Sequence, residues 1–314
     1  MQILITGGAG FIGSNLARVA LAANPENNVR IIDDLSTGYA TNLDGLDVEF
    51  VRGTILDEIA LQEAMVGVDA VVHLAAVPSV PRSIKDPRRS HDANATGTLN
   101  VLEAARSEGD VHVTVASSSS VYGSNPSLPK REDAWTRPLS PYAATKLITE
   151  AYAIAYAHSF GMQTLAFRFF NVYGPGQAAG HSYAAVIPMF IDAALRGEPV
   201  VVHGDGLQSR DFTFVGTVCE ALYRAASERV TSDSPVNLAF GTRTTLLELI
   251  DVISEAVGTD VAVEHVDRRA GDVFASQADG TLLNTLFPGV SSYTLEHGVR
   301  ATVDWFLSAR GAVQ

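Results

Sequence analysis

Tyr142-Ala143-Ala144-Thr145-Lys146 is the segment of this chain whose residue types and spacing point most directly to chemistry. A phenol ionises near pH ~10 in water, so a tyrosine acts as a base near neutrality only beside a cation and a hydrogen-bonding partner. Positions i and i+4 share one face of a helix, which sets the Lys146 ammonium on the side of the phenol. The run Ser117-Ser118-Ser119-Ser120, followed by Val121-Tyr122-Gly123, offers a hydroxyl from a second segment. Such a set describes a proton-transfer group.

The elements that must hold these groups follow from periodicity. β-Branched runs at 3–6, 29–33, 48–51, 70–73, 111–116 and 163–169 predict strands, and the stretches 11–23, 56–65, 87–107 and 141–160 between them predict helices. That alternation predicts βαβ units and an α/β fold with a Rossmann-type doubly wound parallel sheet. Past residue 170 the rhythm loosens into loops at 175–181 and 204–210 and helices at 187–195, 217–227, 246–257 and 294–309. The expected organisation is a dinucleotide-binding domain over 1–170, joined by some later segments, and a smaller substrate-binding lobe over 171–314, the two interleaved.

Gly7, Gly10 and Gly13 stand where the first strand turns into the first helix. There they permit a tight turn, a close backbone approach to a pyrophosphate and close helix–strand packing. Asp33 ends the second strand, where a carboxylate accepts hydrogen bonds from adenosine ribose hydroxyls and repels a 2′-phosphate, which favours NAD over NADP. Asp34 adds a second negative charge, with Arg30 as the one arginine beside it in sequence.

Composition excludes several classes. The 314 residues carry 22 basic and 35 acidic side chains, a net charge of −13, which speaks against a nucleic-acid surface or a polybasic membrane patch. The single cysteine, Cys219, rules out an intrachain disulfide framework and any multi-cysteine metal site, and is expected to be a buried helical residue. Residues 2–6 run straight into the glycine turn without the basic stretch of a secretory leader, and no apolar run reaches the ~18–20 residues that span a bilayer. The expectation is a cytoplasmic protein. His73 and His181 lack metal-ligand spacing, Trp135 and Trp305 read as packing residues, and Arg82, Lys85, Arg88 and Arg89 read as a solvated helix start.

With these features in place the chain resembles the extended short-chain dehydrogenase/reductase family, most closely its UDP-hexose 4-epimerases. The resemblance runs almost the whole length. It is carried by the glycine turn, Asp33-Asp34-Leu35-Ser36-Thr37-Gly38, His73-Leu74-Ala75-Ala76, Ser79-Val80-Pro81-Arg82-Ser83, Asn94 with Gly97-Thr98, the serine run and Tyr142/Lys146. It continues through Phe169-Phe170-Asn171-Val172-Tyr173-Gly174-Pro175, Gly204-Asp205-Gly206, Arg210-Asp211-Phe212 and Arg269-Ala270-Gly271-Asp272.

The resemblance implies NAD held by Gly7, Gly10, Phe11, Ile12 and Gly13, by Asp33, Ser36, Thr37 and Gly38, by Thr54 and Ile55, and by Leu74, Ala75 and Ala76. Asn94 and Lys146 would lie near the nicotinamide half, with Tyr142 and Phe169 completing the set. It selects Ser118 as the partner of Tyr142, because the matching hydroxyl lies four residues before the tyrosine of Val121-Tyr122-Gly123. Tyr142, Lys146 and Ser118 are thus the implied catalytic set. The implied substrate is a UDP-sugar touched by Ser79, Ser118, Tyr142, Asn171, Val186, His203, Arg210, Arg269, Asp272 and Ser276, with Asn171, Arg210 and Arg269 around the diphosphate. No metal is implied. A homodimer formed through the helices at 87–107 and 141–160 is.

The implied reaction is reversible oxidation at C4, rotation of the 4-keto sugar, and return of the hydride to the other face. Dehydratases of this kind carry an Asp-Glu pair after the hydroxyl residue, and decarboxylases a glutamate at the second of those positions. Here Ser119 and Ser120 stand there. Uronate epimerases usually have a threonine in place of Asn171 and an arginine in the following loop, which 176–181 lacks, and dinucleotide-sensing proteins of this fold typically lose the tyrosine or lysine. Three positions depart from the common pattern: Thr54 replaces an aspartate, Gly216-Thr217 replaces an acidic pair with Thr217 as an expected N-cap, and Ser276 replaces a bulkier residue beside the sugar C2 group. The small Ser276 leaves space for a 2-acetamido sugar.

Overall fold

A computed structural model describes residues 1–179, 185–267 and 275–311. Its centre is a seven-stranded sheet of β1 (Gln2–Thr6), β2 (Asn28–Asp33), β3 (Glu49–Arg52), β4 (Ala70–His73), β5 (His112–Ser118), β6 (Thr164–Phe169) and a short last strand, Val236–Leu238. Across the sheet the order is Val236–Leu238, β6, β5, β4, β1, β2, β3, and every pair is parallel. Order reverses between β1 and β4, and a doubly wound sheet opens its crevice at the carboxyl ends of the strands at such a point. Thr6 pairs with His73 there, and Ser118 pairs with Phe169 two strands away.

Both faces are covered, which is why β1 and β4 to β6 are buried along most of their length, polar residues of β5 such as His112 and Thr114 included. One face packs on the first helix, Phe11–Ala23, and on Val215–Ser227, around Leu16, Ala20, Val218, Leu222 and Phe287. Cys219 lies in this layer, its thiol donating to Ile12 O at 3.7 Å. The other face packs on Glu58–Met65, Gly97–Glu108 and the long helix Pro141–Phe160 around Leu61, Val101, Leu102 and Ala153. A separate core, with Ile187, Phe190, Leu249, Ile253, Val299 and Val303, joins the helices Val186–Arg196, Leu246–Val257 and Leu295–Gly311.

Two of the expected helices differ in the structure. The helix expected over 87–107 is broken into Pro87–His91, a π-helical turn Asp92–Thr96, and Gly97–Glu108, preceded by a short helix Val80–Lys85. One additional residue in a turn leaves the apolar spacing almost unchanged, so the pattern does not announce it. Thr217 is not an N-cap: the helix begins at Val215 after Phe214, and the Thr217 hydroxyl donates to Ser291 O at 2.7 Å.

Candidate active site

The glycine turn sits at the crevice. Gly7 has φ +72°, and a Cβ there would stand 2.7 Å from Ala75 N, while one on Gly13 would meet Gly7 O at 2.5 Å. The first helix is capped by Gly10 with no side chain on its first N–H groups, which leaves those donors and the helix dipole for an anion. Asp33 lies beside it, buried, accepting from Ala9 N at 2.9 Å and Leu35 N at 2.8 Å. Burial pushes its carboxyl above the usual range, and the two backbone bonds act against that. Arg30 is committed elsewhere, to Glu49 at 2.7 Å and to the carbonyls of Ala64 and Val66, so it does not stand by for a 2′-phosphate.

These residues open on a cleft of about 820 Å³. Of the residues expected on the dinucleotide, Gly7, Gly10, Phe11, Ile12, Gly13, Asp33, Ser36, Thr37, Thr54, Ile55, Leu74, Ala75, Ala76 and Phe169 line it, and so do Ser79, Ser118, Tyr142 and Lys146. Gly38 packs behind the wall, where a Cβ would stand 2.7 Å from Ala9 backbone atoms. Asn94 also lies behind the wall, 1 % exposed. Its amide holds both Val77 N (2.7 Å) and Val77 O (3.2 Å) and donates to Thr145 Oγ1 at 3.0 Å. It therefore fixes the 74–79 loop to the long helix rather than facing the cleft, and the π-helical turn is what aims it there.

The long helix starts at Ser140, whose hydroxyl accepts from Ala143 N, with Pro141 in its first turn. That start delivers Tyr142 and Lys146 to the carboxyl end of β5. Tyr142 lines the cleft together with Ser118; burial raises the phenol above its ordinary range, and the neighbouring Ser118 hydroxyl works to lower it. Lys146 is buried, its Nζ donating to Ala116 O at 2.8 Å, and burial holds it down to about 8. The ammonium is thus anchored on the strand one residue from Ser117, instead of resting on the phenol as the i, i+4 spacing alone suggested.

At the carboxyl ends of β1 and β4, His73 bridges Thr6 Oγ1 (2.7 Å) and Thr98 Oγ1 (3.0 Å). The Thr98 hydroxyl donates to Asn94 O at 2.5 Å and Thr6 Oγ1 accepts from Ala75 N at 3.2 Å, an arrangement that calls for the proton on His73 Nε2. Burial and the nearby Lys146 lower this imidazole to about 3, so it stays neutral.

The residues expected on the substrate are spread wider. Asn171 is exposed at φ 30° and donates to Asp211 O at 3.0 Å; Val186 opens its helix; His203 Nδ1 lies 2.9 Å from Asp267 O. Arg210 and Ser276 come together through Ser209, whose carbonyl accepts from Ser276 N at 3.1 Å. Arg269 and Asp272 lie outside the described residues, as does His181. The buried Asp211 ties this region up, accepting from Gly241 N (3.1 Å), Thr242 Oγ1 (2.8 Å) and Ala278 N (2.9 Å).

Sequence reasoning passed over several residues. Arg82, Arg88 and Arg89 line the cleft instead of merely facing solvent, and Tyr39 and Gln177 line it too. Glu150 repeats the i+4 step from Lys146 and marks the same helix face, a signal available in the sequence. Among the described residues no His, Cys, Asp and Glu group could hold a metal ion, and no helix is long and apolar enough to cross a membrane.

Residues 3–239 match the NAD dependent epimerase/dehydratase family. The chain is 36 % identical over 312 residues to the UDP-glucose 4-epimerase of Mycolicibacterium smegmatis, covering 98 % of each. Among solved structures it superimposes with TM-score 0.93 on the UDP-N-acetylglucosamine 4-epimerase of Methanobrevibacter ruminantium in complex with UDP-N-acetylmuramic acid, at 36 % identity over 98 % of both chains. The Thermotoga maritima UDP-glucose 4-epimerase with UDP-glucose gives 0.92 at 32 % identity over 100 % of both.

Proposed function

The chain belongs to the NAD dependent epimerase/dehydratase family, and on that footing we propose that it interconverts the C4 epimers of a UDP-hexose with NAD as its bound redox partner. The observation that carries the reading is the Ser118–Tyr142–Lys146 cluster on the wall of a cleft that begins at a glycine turn.

The turn suits a dinucleotide. Close backbone packing at Gly7 and Gly13 leaves no room for side chains, the uncapped helix start faces the crevice, and Asp33 keeps carboxylate lone pairs for ribose hydroxyls. Bound NAD supplies the hydride acceptor for C4 and a positive ring charge that favours the phenolate. Tyr142 takes the proton of the sugar 4-hydroxyl and later returns it to the 4-keto oxygen. Ser118 steadies the phenolate by donating to it, and Lys146, charged below about pH 8, adds a cation to the same pocket.

Ser119 and Ser120 follow Ser118 in a 3-10 turn, 119–122, and neither hydroxyl can act as the acid or base that elimination across C5 and C6 demands. Incubating the purified protein with a panel of nucleotide sugars, without added NAD, should convert each accepted sugar to its 4-epimer with no net redox change. Release of water to give a 4-keto-6-deoxy sugar would overturn the reading.

Ser276 sits against the strand that carries Arg210, and its small side chain supports acceptance of 2-acetamido sugars. Ser276→Tyr should depress turnover of UDP-GlcNAc/UDP-GalNAc selectively; equal loss on the UDP-glucose/UDP-galactose pair would contradict that role. A homodimer through the segments 87–107 and 141–160 is also proposed, and light scattering of the purified protein tests it.

A further inference from the structure

Three consecutive residues at the end of β5 meet three positions on one face of the long helix. Ala116 O takes the Lys146 ammonium at 2.8 Å, and Ser118 lines the cleft together with Tyr142. Between them the Ser117 hydroxyl lies 2.7 Å from Glu150 Oε2 and 3.1 Å from Lys146 O. One hydroxyl carries one proton, and the shorter contact with the charged acceptor takes the larger share of it. Positions 142, 146 and 150 are successive i+4 steps on one helix face, and hydrogen bonds pin the strand to it at 146 and 150.

Glu150 does not float in that seam. Arg168, directly across from Ser117 on β6, clasps it in bidentate fashion, Nη2 to Oε1 at 2.6 Å and Nε to Oε2 at 3.0 Å. Both side chains are 4 % exposed. The guanidinium rests over the Tyr122 ring at 4.7 Å and donates to Glu132 O. Tyr122 in turn donates to Asn237 Oδ1 at 2.7 Å, on the last strand of the sheet.

We infer that Glu150, locked by Arg168 and gripping Ser117, is the positioning residue that sets the register of Ser118 against Tyr142. This rests on the proton-transfer reading of Tyr142. Ser118 is peptide-bonded to Ser117, so slack at Glu150 passes straight to the hydroxyl that favours the phenolate. The Glu150 carboxylate itself touches neither Tyr142 nor Lys146 Nζ.

Ser117→Ala is the incisive variant, because removing Glu150 would leave Arg168 buried and unpaired. It should lower kcat about tenfold with KM for the UDP-sugar within about twofold. The acid limb of the kcat profile should move to higher pH, since a displaced Ser118 hydroxyl leaves the phenol more basic. Ser117→Thr, which keeps the hydroxyl, should restore both. A Ser117→Ala enzyme with wild-type kcat and an unmoved acid limb would overturn the inference, as would a loss of kcat matched by lower thermal stability and not rescued by threonine. Tyr142→Phe run in parallel separates the two readings: unchanged turnover there sinks the catalytic assignment itself, whereas its loss beside an indifferent Ser117→Ala sinks only the positioning role.

Discussion

Lys146 shows how burial trades stability for chemistry at a single residue. Its ammonium is held down to about 8 from an ordinary 10.5 because the surroundings take it out of water. A cation with a depressed folded pKa binds fewer protons in the folded state than in the unfolded chain, so its penalty is fully present below that value and fades as pH rises toward 10.5. The gap in unfolding free energy between Lys146→Met and the wild type should therefore shift by roughly 3 kcal/mol in favour of the wild type between pH 8 and 10.5. Urea titrations across that window check it, and a flat difference would contradict it. At this scale the sequence was informative about identity but not about direction. Tyr142, Lys146 and Asp33 were recognisable from type and spacing. That Lys146 bonds to Ala116, and that Glu150 belongs to the same seam as Ser117, depends on contacts between segments 30 and 33 residues apart.

Among the elements, the π-helical turn Asp92–Thr96 has the clearest consequence. It rotates Asn94 inward to hold both backbone groups of Val77 and to brace Thr145, joining the cleft loop to the long helix. Asn94→Ala leaves those buried groups without their partner, and the expected loss is ~2–3 kcal/mol of stability. The loop loses its anchor as well, so the purified variant should retain less bound dinucleotide, readable as the nucleotide absorbance released on denaturation. Retention equal to wild type would place Asn94 outside cofactor binding altogether. The strands from 2 to 169 were legible because β-branched runs between glycine and aspartate punctuation leave few alternatives. Val236–Leu238 was not, since three residues carry no period.

For the whole molecule, the position of that last strand matters more than its length. It lies beside β6, and Val215–Ser227 covers the face where the first helix packs, so the sheet is completed by chain that comes after residue 170. Leu238, Val218, Leu222 and Phe287 are all buried in that layer. A fragment of residues 1–170 would expose the apolar surface they cover, and it should bind an apolar dye strongly and lack a cooperative thermal transition. Dye fluorescence and calorimetry on the fragment test this; a sharp transition would show an independently folding unit.

Asp211 has one more implication. Its carboxylate holds the 241–242 turn and Ala278 together, next to the strand that brings Arg210 and Ser276 close, and none of these bonds reaches the seam of Ser117, Lys146 and Glu150. On the proposed reading, the residues beside the sugar and the proton-transfer residues hang on different fasteners, so substitutions around Asp211 should change sugar preference without loosening the seam.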